Sequence, residues 1–202
     1  GNIRFARNSV STSGVVNETN LAVQVAFGKR SGIATTNSFD DTSLERVVRR
    51  AEELAQLAPE NPEFMPAVEK QSYTATPTYV QATADIDAAF RAKVALDSIK
   101  PCKDENLVAA GYLADNTGFI ATANSRGNFG YQQLNNLDYT CTVRTADETG
   151  SGWVATNLAD ASKFDASKDI QTAIRKAKGS VDAKALEPGK YTVVLEPAAV
   201  SG

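Results

Sequence analysis

The sequence predicts an α+β fold in which antiparallel β-hairpins pack against amphipathic helices. Alternating strand patterns come in pairs around polar turns, and segments with helical spacing of apolar residues follow them. A short phrase also recurs: GIATTNS begins at Gly32, FIATANS at Phe119 and GWVATNLAD at Gly152. We interpret this phrase as the return strand of a hairpin in a duplicated ββα-type unit, in preference to two copies of an active site.

The first predicted unit is a hairpin followed by a helix. Residues 20–27 alternate, as expected of a half-buried strand, and one face carries Leu21, Val23, Val25 and Phe27. The turn GKRSG leads into the return strand IATTN. Thr42 and Glu45 have capping-box spacing at the start of the helix, and Pro59 ends it. The inner stripe of this helix is Leu44, Val47, Val48, Ala51, Leu54, Ala55 and Ala58.

The middle of the chain predicts a surface crossing, a second helix and a second hairpin. Residues 60–80 are rich in Pro, Thr and Tyr without a clear period, which favours an ordered crossing over a flexible linker. The helix is expected from about Asp85 to Ile99 and should end before Pro101, with Ile86, Ala89, Phe90 and Val94 facing inward. Two strands are then expected around a DNTG turn.

The last part of the chain predicts another ββα unit and a final strand. Two strands flank the turn DETGSG, and Tyr139, Cys141 and Val143 share one face of the first. A helix over 166–178 should present Ile170, Ala173, Ile174 and Ala177, with Gly179 as a C-cap. GKYTVVLEP has the composition of a strand.

Composition limits the classes of function. A net charge of −3 and a pI near 5.1 give no whole-chain electrostatic footprint of a nucleic-acid binder, so nucleic acid is an unfavoured partner. No apolar run is long enough to span a bilayer, and we expect a cytoplasmic protein with no membrane partner. The two cysteines, Cys102 and Cys141, are expected to be unpaired thiols.

The side chains give little sign of catalysis. There is no histidine, which removes histidine-based triads, histidine general bases and zinc sites that need imidazole. Pairs of neighbouring acids fall at expected turns or helix starts, where carboxylates cap helices: Asp40 and Asp41, Asp85 and Asp87, Asp104 and Glu105, and Asp147 and Glu148. The glycine runs SRGNFG and ETGSGW match no phosphate-binding loop. On residues alone, the chain is a binding or assembly domain.

Six segments occur in the order found in the PmbA/TldD family, also called modulators of DNA gyrase. They are IRFARNSV, GKRSGIATTN, LERVVRRAEELAQLAPENPEF, IATANSRG, VRTADETGSGW and EPGKYTVVLEP. The resemblance covers nearly the whole chain. It implies that residues 1–202 are a single N-terminal domain, clipped at both ends, of a longer protein whose C-terminal domain is absent here.

The resemblance also implies a partner, a substrate and a cofactor. The family forms cytoplasmic two-subunit metallopeptidases that thread unfolded peptides into a cavity between subunits, so we expect a homodimer or a heterodimer with a TldD-type subunit. The family's zinc motif, H-E-x-x-x-H, lies in the later half, so no metal or other cofactor is expected on this chain unless the missing region or a partner supplies ligands. The ending EPAAVSG resembles the PmbA/TldE-type branch, which lacks that motif.

One stretch is nominated as a peptide-path or subunit-interface contact: Asn124, Ser125, Arg126 and Gly127. It combines small side chains and amides with one arginine beside a glycine that permits close backbone approach. The alternative is a hairpin exit where Asn and Gly satisfy turn geometry. Two other functions stay open, a gyrase-associated or nucleic-acid-linked regulator and an unrelated binding module. The peptide substrate and the identity of the partner subunit are not readable from the sequence.

Overall fold

The computed structural model describes residues 1–200, and its architecture is mixed α+β with antiparallel pairing. One sheet has five strands in the order β2-β1-β5-β6-β7, and β3 and β4 form a separate two-stranded sheet. The strands are β1 Asn2–Ala6, β2 Ser9–Gly14, β3 Leu21–Phe27, β4 Arg30–Thr36, β5 Leu107–Ala123, β6 Phe129–Thr145 and β7 Ser151–Leu158. The helices are α1 Asp41–Leu57, α2 Gln81–Ala84, α3 Ala88–Asp104, α4 Ala166–Gly179 and α5 Pro197–Val200, with a 3₁₀ turn at Ala161–Lys163. The predicted fold class is confirmed.

The chain divides into two compact units. The larger unit contains residues 1–15, 74–121 and 131 onward, and the smaller unit contains residues 16–73 and 122–130. The smaller unit holds the β3–β4 sheet and α1. The larger unit holds most of the five-stranded sheet together with α2, α3 and α4.

The smaller unit follows the predicted strand, turn, strand, helix order. β3 and β4 pair from Leu21 opposite Thr36 to Phe27 opposite Arg30, and Gly28 takes the positive φ that the tight turn requires. The start of α1 differs from the prediction, because its N-cap is Asp40 and not Thr42. The Asp40 carboxylate accepts a 2.9 Å hydrogen bond from the Ser43 amide, which satisfies a free donor of the first turn.

A glycine lets α1 rest directly on β4. A β-carbon placed on Gly32 would lie 2.4 Å from the Ala55 nitrogen and 2.5 Å from the Ala51 oxygen. Ala51 and Ala55 are fully buried, one helical turn apart, and so form the small face that makes this approach possible. The helical spacing also assigns Val48 to the inner stripe, but Val48 is exposed. The contact of Ala51 and Ala55 with Gly32 limits the buried face of α1 to a narrow strip.

The larger unit repeats this contact between β7 and α4. A β-carbon on Gly152 would lie 2.1 Å from the Ala173 oxygen and 2.5 Å from the Ala177 nitrogen. Ala173 and Ala177 are again buried and one turn apart. GIATTN and GWVATN therefore begin at equivalent glycines in two ββα units, which supports the predicted duplication. β6 and β7 form the predicted hairpin, from Leu137 opposite Leu158 to Arg144 opposite Ser151.

The middle copy of the phrase does not belong to this pattern. β5 is one continuous strand, so the predicted DNTG turn at residues 115–118 is wrong. The physical reason is the buried ion pair between Asp115 and Arg91, 2.7 Å apart, which gives the carboxylate a partner inside the fold. IATAN is the exposed outer end of β5, and the expectation that it shares the setting of IATTN is also wrong.

The second helix is longer than expected. α3 begins after Asp87, whose carboxylate accepts from the Phe90 amide at 2.8 Å, and it continues through Pro101 to Asp104. A proline inside a helix removes one amide donor and crowds the carbonyl four residues earlier, but α3 continues for only three residues beyond Pro101. The Glu105 amide closes the last turn onto the Pro101 oxygen. Ala89 is exposed, and the buried face instead includes Arg91.

Two features at the end of the larger unit also differ from prediction. Gly179 is the last residue of α4 and Ser180 is the C-cap, with its hydroxyl donating to the Ala177 oxygen at 3.0 Å. Residues 190–195 pair with no strand of either sheet in the described part of the chain, so the predicted final strand is wrong. The rest of α4 packs as predicted.

The core of the larger unit lies under β6, where Tyr139, Cys141 and Val143 are buried as predicted. The Tyr139 hydroxyl lies 2.7 Å from the Ser98 hydroxyl of α3. Cys102 and Cys141 are both free and buried, as expected. Burial raises the pKa of the Cys102 thiol to about 12 and that of the Cys141 thiol to about 11, so both stay protonated and unreactive near neutrality.

We predict that Gly152→Ala and Gly32→Ala each lower the free energy of unfolding by about 2 kcal/mol or more, because the added methyl group meets helix backbone that cannot move aside. Gly118→Ala is the matched control, since nothing lies within 4 Å of a β-carbon there. Urea unfolding measures all three. Equal midpoints for Gly152→Ala and Gly118→Ala would show that the close contact is not needed.

We also predict a loss of stability as pH rises from 9 to 11. The unfolded chain releases its thiol protons near the ordinary value of 9, whereas the folded chain retains them, so the thiols' contribution is complete below pH 9 and is lost above it. Urea unfolding across this range should give a shallower decline for a Cys102→Ala, Cys141→Ala variant than for the native chain. Parallel declines would contradict the assignment.

Candidate functional site

The nominated residues form the turn between β5 and β6, in the smaller unit. The Asn124 side-chain oxygen accepts from the amides of Arg126 and Asn128 at 3.0 and 3.1 Å, and Gly127 has a φ of 80°. Ser125 is exposed at the tip. Asn124 and Gly127 thus satisfy turn geometry, as the alternative interpretation of this stretch expects.

The same turn also holds another part of the smaller unit. The Asn124 side-chain nitrogen donates to the Val68 oxygen at 3.0 Å, and the Arg126 guanidinium forms an ion pair with Glu69. Both members of that ion pair are exposed to solvent, so its contribution to stability is small. The role of the four nominated residues in peptide or subunit contact remains a prediction.

Asn128, which sequence analysis did not single out, is the buried polar side chain of this turn. It is 7% exposed, and its side-chain nitrogen donates to the Val68 and Glu69 oxygens at 2.8 Å each. Its side-chain oxygen accepts from the Gln71 amide at 2.6 Å. All of these partners are main-chain groups. The only sequence signal was its place after the turn glycine in SRGNFG.

Asn135 makes the same kind of contact in the larger unit. It is 4% exposed, its side-chain nitrogen donates to the Val80 oxygen at 2.8 Å, and its side-chain oxygen accepts from the Val80 amide at 3.0 Å. Its own amide donates to the Thr78 oxygen at 3.0 Å. An asparagine inside a strand is unfavourable by propensity, and this was the signal in QQLNNLDY that could have identified it.

These two asparagines hold extended segments of their own chain, mainly through main-chain groups. A carboxamide offers two donors and an acceptor, so one side chain can bind both the N–H and the C=O of a peptide unit. Apart from one long contact, the Tyr73 hydroxyl donating to the Asn128 side-chain oxygen at 3.5 Å, the side chains of Asn128 and Asn135 bind their held segments through main-chain atoms. Such recognition resembles the addition of a peptide to a sheet edge, where main-chain bonds supply affinity.

The acidic side chains have structural roles. Asp40 caps α1, Asp147 accepts from the Thr145 hydroxyl and the Thr149 amide, and Asp160 accepts from the Ser162 hydroxyl. These hydrogen bonds to the ionised form hold the pKa of each of the three carboxyls below its ordinary value. A carboxylate with a lowered pKa is a poor proton donor near neutrality, so these acids are unsuited to general acid catalysis.

The residues of this chain do not fit the zinc ion that the resemblance associates with the family. The sequence has no histidine, and within residues 1–200 no three Cys, Asp or Glu side chains come together as ligands. The two thiols are buried with raised pKa values, which disfavours the thiolate that zinc requires. No catalytic step can be assigned to these side chains through a metal.

An exposed aromatic pair lies on the larger unit. The rings of Phe119 on β5 and Tyr131 on β6 stack with centroids 5.8 Å apart, yet the residues are 51% and 55% exposed. Ile120, the next residue of β5, is also exposed. Large apolar side chains exposed together are characteristic of contact surfaces. In the part of the chain that the structure describes, no helix has the length and apolar character needed to cross a bilayer.

The first 55 residues match a sequence model of a known family. The model is described as PmbA/TldA metallopeptidase domain 1, and the match covers residues 1–55. In this structure those residues include β1 to β4 and most of α1. No curated protein matches the sequence at a significant level.

Three solved structures share the fold. TldE from Thermococcus kodakarensis is 17% identical with a TM-score of 0.77, covering 88% of this chain and 41% of its own. A proposed modulator of DNA gyrase from Bacteroides thetaiotaomicron is 15% identical with a TM-score of 0.77, covering 94% and 45%. A second such protein, from Thermotoga maritima, is 16% identical with a TM-score of 0.72, covering 93% and 44%.

The present chain thus spans less than half the length of these three proteins. At such identities the comparison establishes the fold alone, and the sequence match to the family model covers residues 1–55. The resemblance to the PmbA/TldD family seen in the sequence is therefore confirmed, by the family's first domain at the start of the chain and by a shared fold over most of its length.

Proposed function

We propose that this chain is a non-catalytic N-terminal domain of a PmbA/TldD-family, metallopeptidase-related protein, and that it contributes to peptide binding and subunit assembly in a cytoplasmic proteolytic complex. The match of residues 1–55 to a metallopeptidase domain is the observation that carries this proposal. In this proposal the whole chain, residues 1–202, serves as one N-terminal module of a longer protein.

The peptide-binding part of the proposal is supported by the two buried asparagines. A peptidase that acts on unfolded chains must accept many sequences, and main-chain recognition is the physical route to that tolerance. Asn128 and Asn135 already bind main-chain groups in this way. The turn Asn124 to Gly127 supplies further amide and guanidinium donors beside Asn128.

The assembly part is supported by the exposed stack of Phe119 and Tyr131, since aromatic side chains are enriched at protein interfaces. The proposed partner is a TldD-type subunit or a second copy. The sequence EPAAVSG resembles the branch without the zinc motif, so the zinc ligands and the reacting water would be supplied by the partner or by a later region.

A gyrase-associated regulator is the second candidate, favoured by the description of two structural neighbours as proposed modulators of DNA gyrase. Direct DNA binding would require a cluster of cations that releases counterions from phosphates. The net charge of −3 argues against it.

The first test is a double substitution, Asn124→Ala with Arg126→Ala, in the full complex. It removes the side chains nominated for contact, and we expect peptide degradation or subunit association to weaken by about 3- to 10-fold, as for the loss of one or two polar contacts. Asn17→Ala with Arg49→Ala, also exposed in the smaller unit, is the matched control. If degradation and association both equal those of the unmodified complex, the turn is only scaffold.

The second test separates the two candidate functions. We expect the chain to show no salt-dependent binding to duplex DNA in a titration at low ionic strength, because its overall charge repels phosphate. A chain of equal length and strongly basic charge serves as the positive control. Binding that weakens steeply with added salt would favour the regulator over the peptidase-complex domain.

A further inference from the structure

One edge of β6, in the larger unit, pairs with β7 along only part of its length. β7 pairs with β6 from Leu137 onward, so the part of β6 before Leu137 has no β7 residue beside it. Main-chain groups of alternate residues point to the same side of a strand, and residues 133 and 135 therefore face the side that β7 covers at residue 137. An exposed row of such groups would be a template for any extended chain.

A segment of the same chain occupies that edge. We call residues 74–80 the strap; it contains no helix or strand. The Asn135 amide donates to the Thr78 oxygen at 3.0 Å, and the Thr78 hydroxyl donates to the Gln133 oxygen at 2.7 Å. The Asn135 side chain binds both main-chain groups of Val80, and the Gln132 side chain donates to the Thr78 hydroxyl at 2.8 Å.

The strap is therefore bound to β6 in the way that a separate extended peptide would be, although it belongs to the same chain. Only Thr78 contributes a side chain to the edge, and every other strap contact with it is a main-chain contact. Residues 74–77 are exposed, so the strap is held mainly through Thr78 to Val80. Asn135 is buried and its partners Thr78 and Val80 are half-buried, so its amide is already held in the orientation that a main chain at this edge needs.

We propose that residues 132–135 of β6 form a binding edge for an extended polypeptide, and that the strap occupies this edge as an internal competitor. The inference rests on the proposed peptide-binding function and adds its place and its regulation. The strap and a peptide would use the same hydrogen-bonding groups of Gln133 and Asn135, so only one of them can bind at a time. The apparent affinity for peptide is therefore reduced by the fraction of molecules whose strap is bound.

The test adds the strap's own sequence to the full chain as a separate molecule. The probe is a fluorescein-labelled peptide, Thr-Ala-Thr-Pro-Thr-Tyr-Val, and fluorescence anisotropy measures its binding. Thr78→Val in the protein removes the strap's hydroxyl contacts and leaves the β6 edge intact. Peptide should then bind about 3- to 5-fold more tightly than to the native chain, as expected for about one hydrogen bond.

Two further variants separate competition from a general loss of structure. Thr76→Val is the matched control, because the Thr76 hydroxyl contacts only the Thr74 oxygen of the strap itself, and it should bind like the native chain. Asn135→Ala in the Thr78→Val background should abolish the gain, since it removes the group that binds the peptide main chain. Loosening the strap and damaging the edge thus have opposite effects.

The inference is overturned if Thr78→Val binds the probe no more tightly than Thr76→Val, or if Asn135→Ala retains the full gain. It is overturned as well if no variant binds the probe. The proposed function has its own test in degradation and association by the full complex, so a failed strap inference is distinguishable from a failed function. Hydrogen exchange of the Val80 amide, faster in Thr78→Val than in Thr76→Val, should report the opening directly.

Discussion

The close approach of helix backbone to strand backbone is the constraint on which both units depend. Gly32 and Gly152 leave no room for a side chain between strand and helix, and the alanines facing them keep the helix surface flat. The two-stranded sheet of β3 and β4, which would be marginal alone, gains α1 as its second layer, and the β6–β7 end of the five-stranded sheet gains α4. The repeated phrase marks this contact: the glycine sets the helix approach, and the residues after it form the strand.

Much of the fold was predictable because local patterns agreed with tertiary packing. The alternation in β6 and the apolar stripe of α4 bury the faces that the sequence indicates, and in β3 Leu21, Val23 and Val25 are half-buried as expected while Phe27 is exposed. The failures came where a distant partner overrides a local signal. Asp115 belongs to a good turn sequence, but Arg91 from α3 pairs with it and keeps β5 extended. Arg91 lies more than twenty residues before DNTG, so the local sequence around the turn could not show this partner.

The candidate site was less predictable than the fold for a related reason. The sequence drew attention to Asn124 and Arg126 through a glycine-containing turn, and that turn exists. Asn128 and Asn135 were missed because their partners lie more than fifty residues away in segments without a periodic pattern. Except for the Tyr73 hydroxyl, the partners are main-chain atoms, so the composition of residues 68–80 gives little sign of them.

The main-chain contacts of the two buried asparagines also set how freely each side of the contact can change during evolution. Gln71 and Val80 are held through their main-chain N–H groups, which every amino acid except proline has. Their side chains can therefore change without loss of these hydrogen bonds. The asparagines have no such freedom, because even aspartate, identical in shape, has no N–H to donate. Substitutions should therefore accumulate in the held segments while the two amide side chains stay fixed.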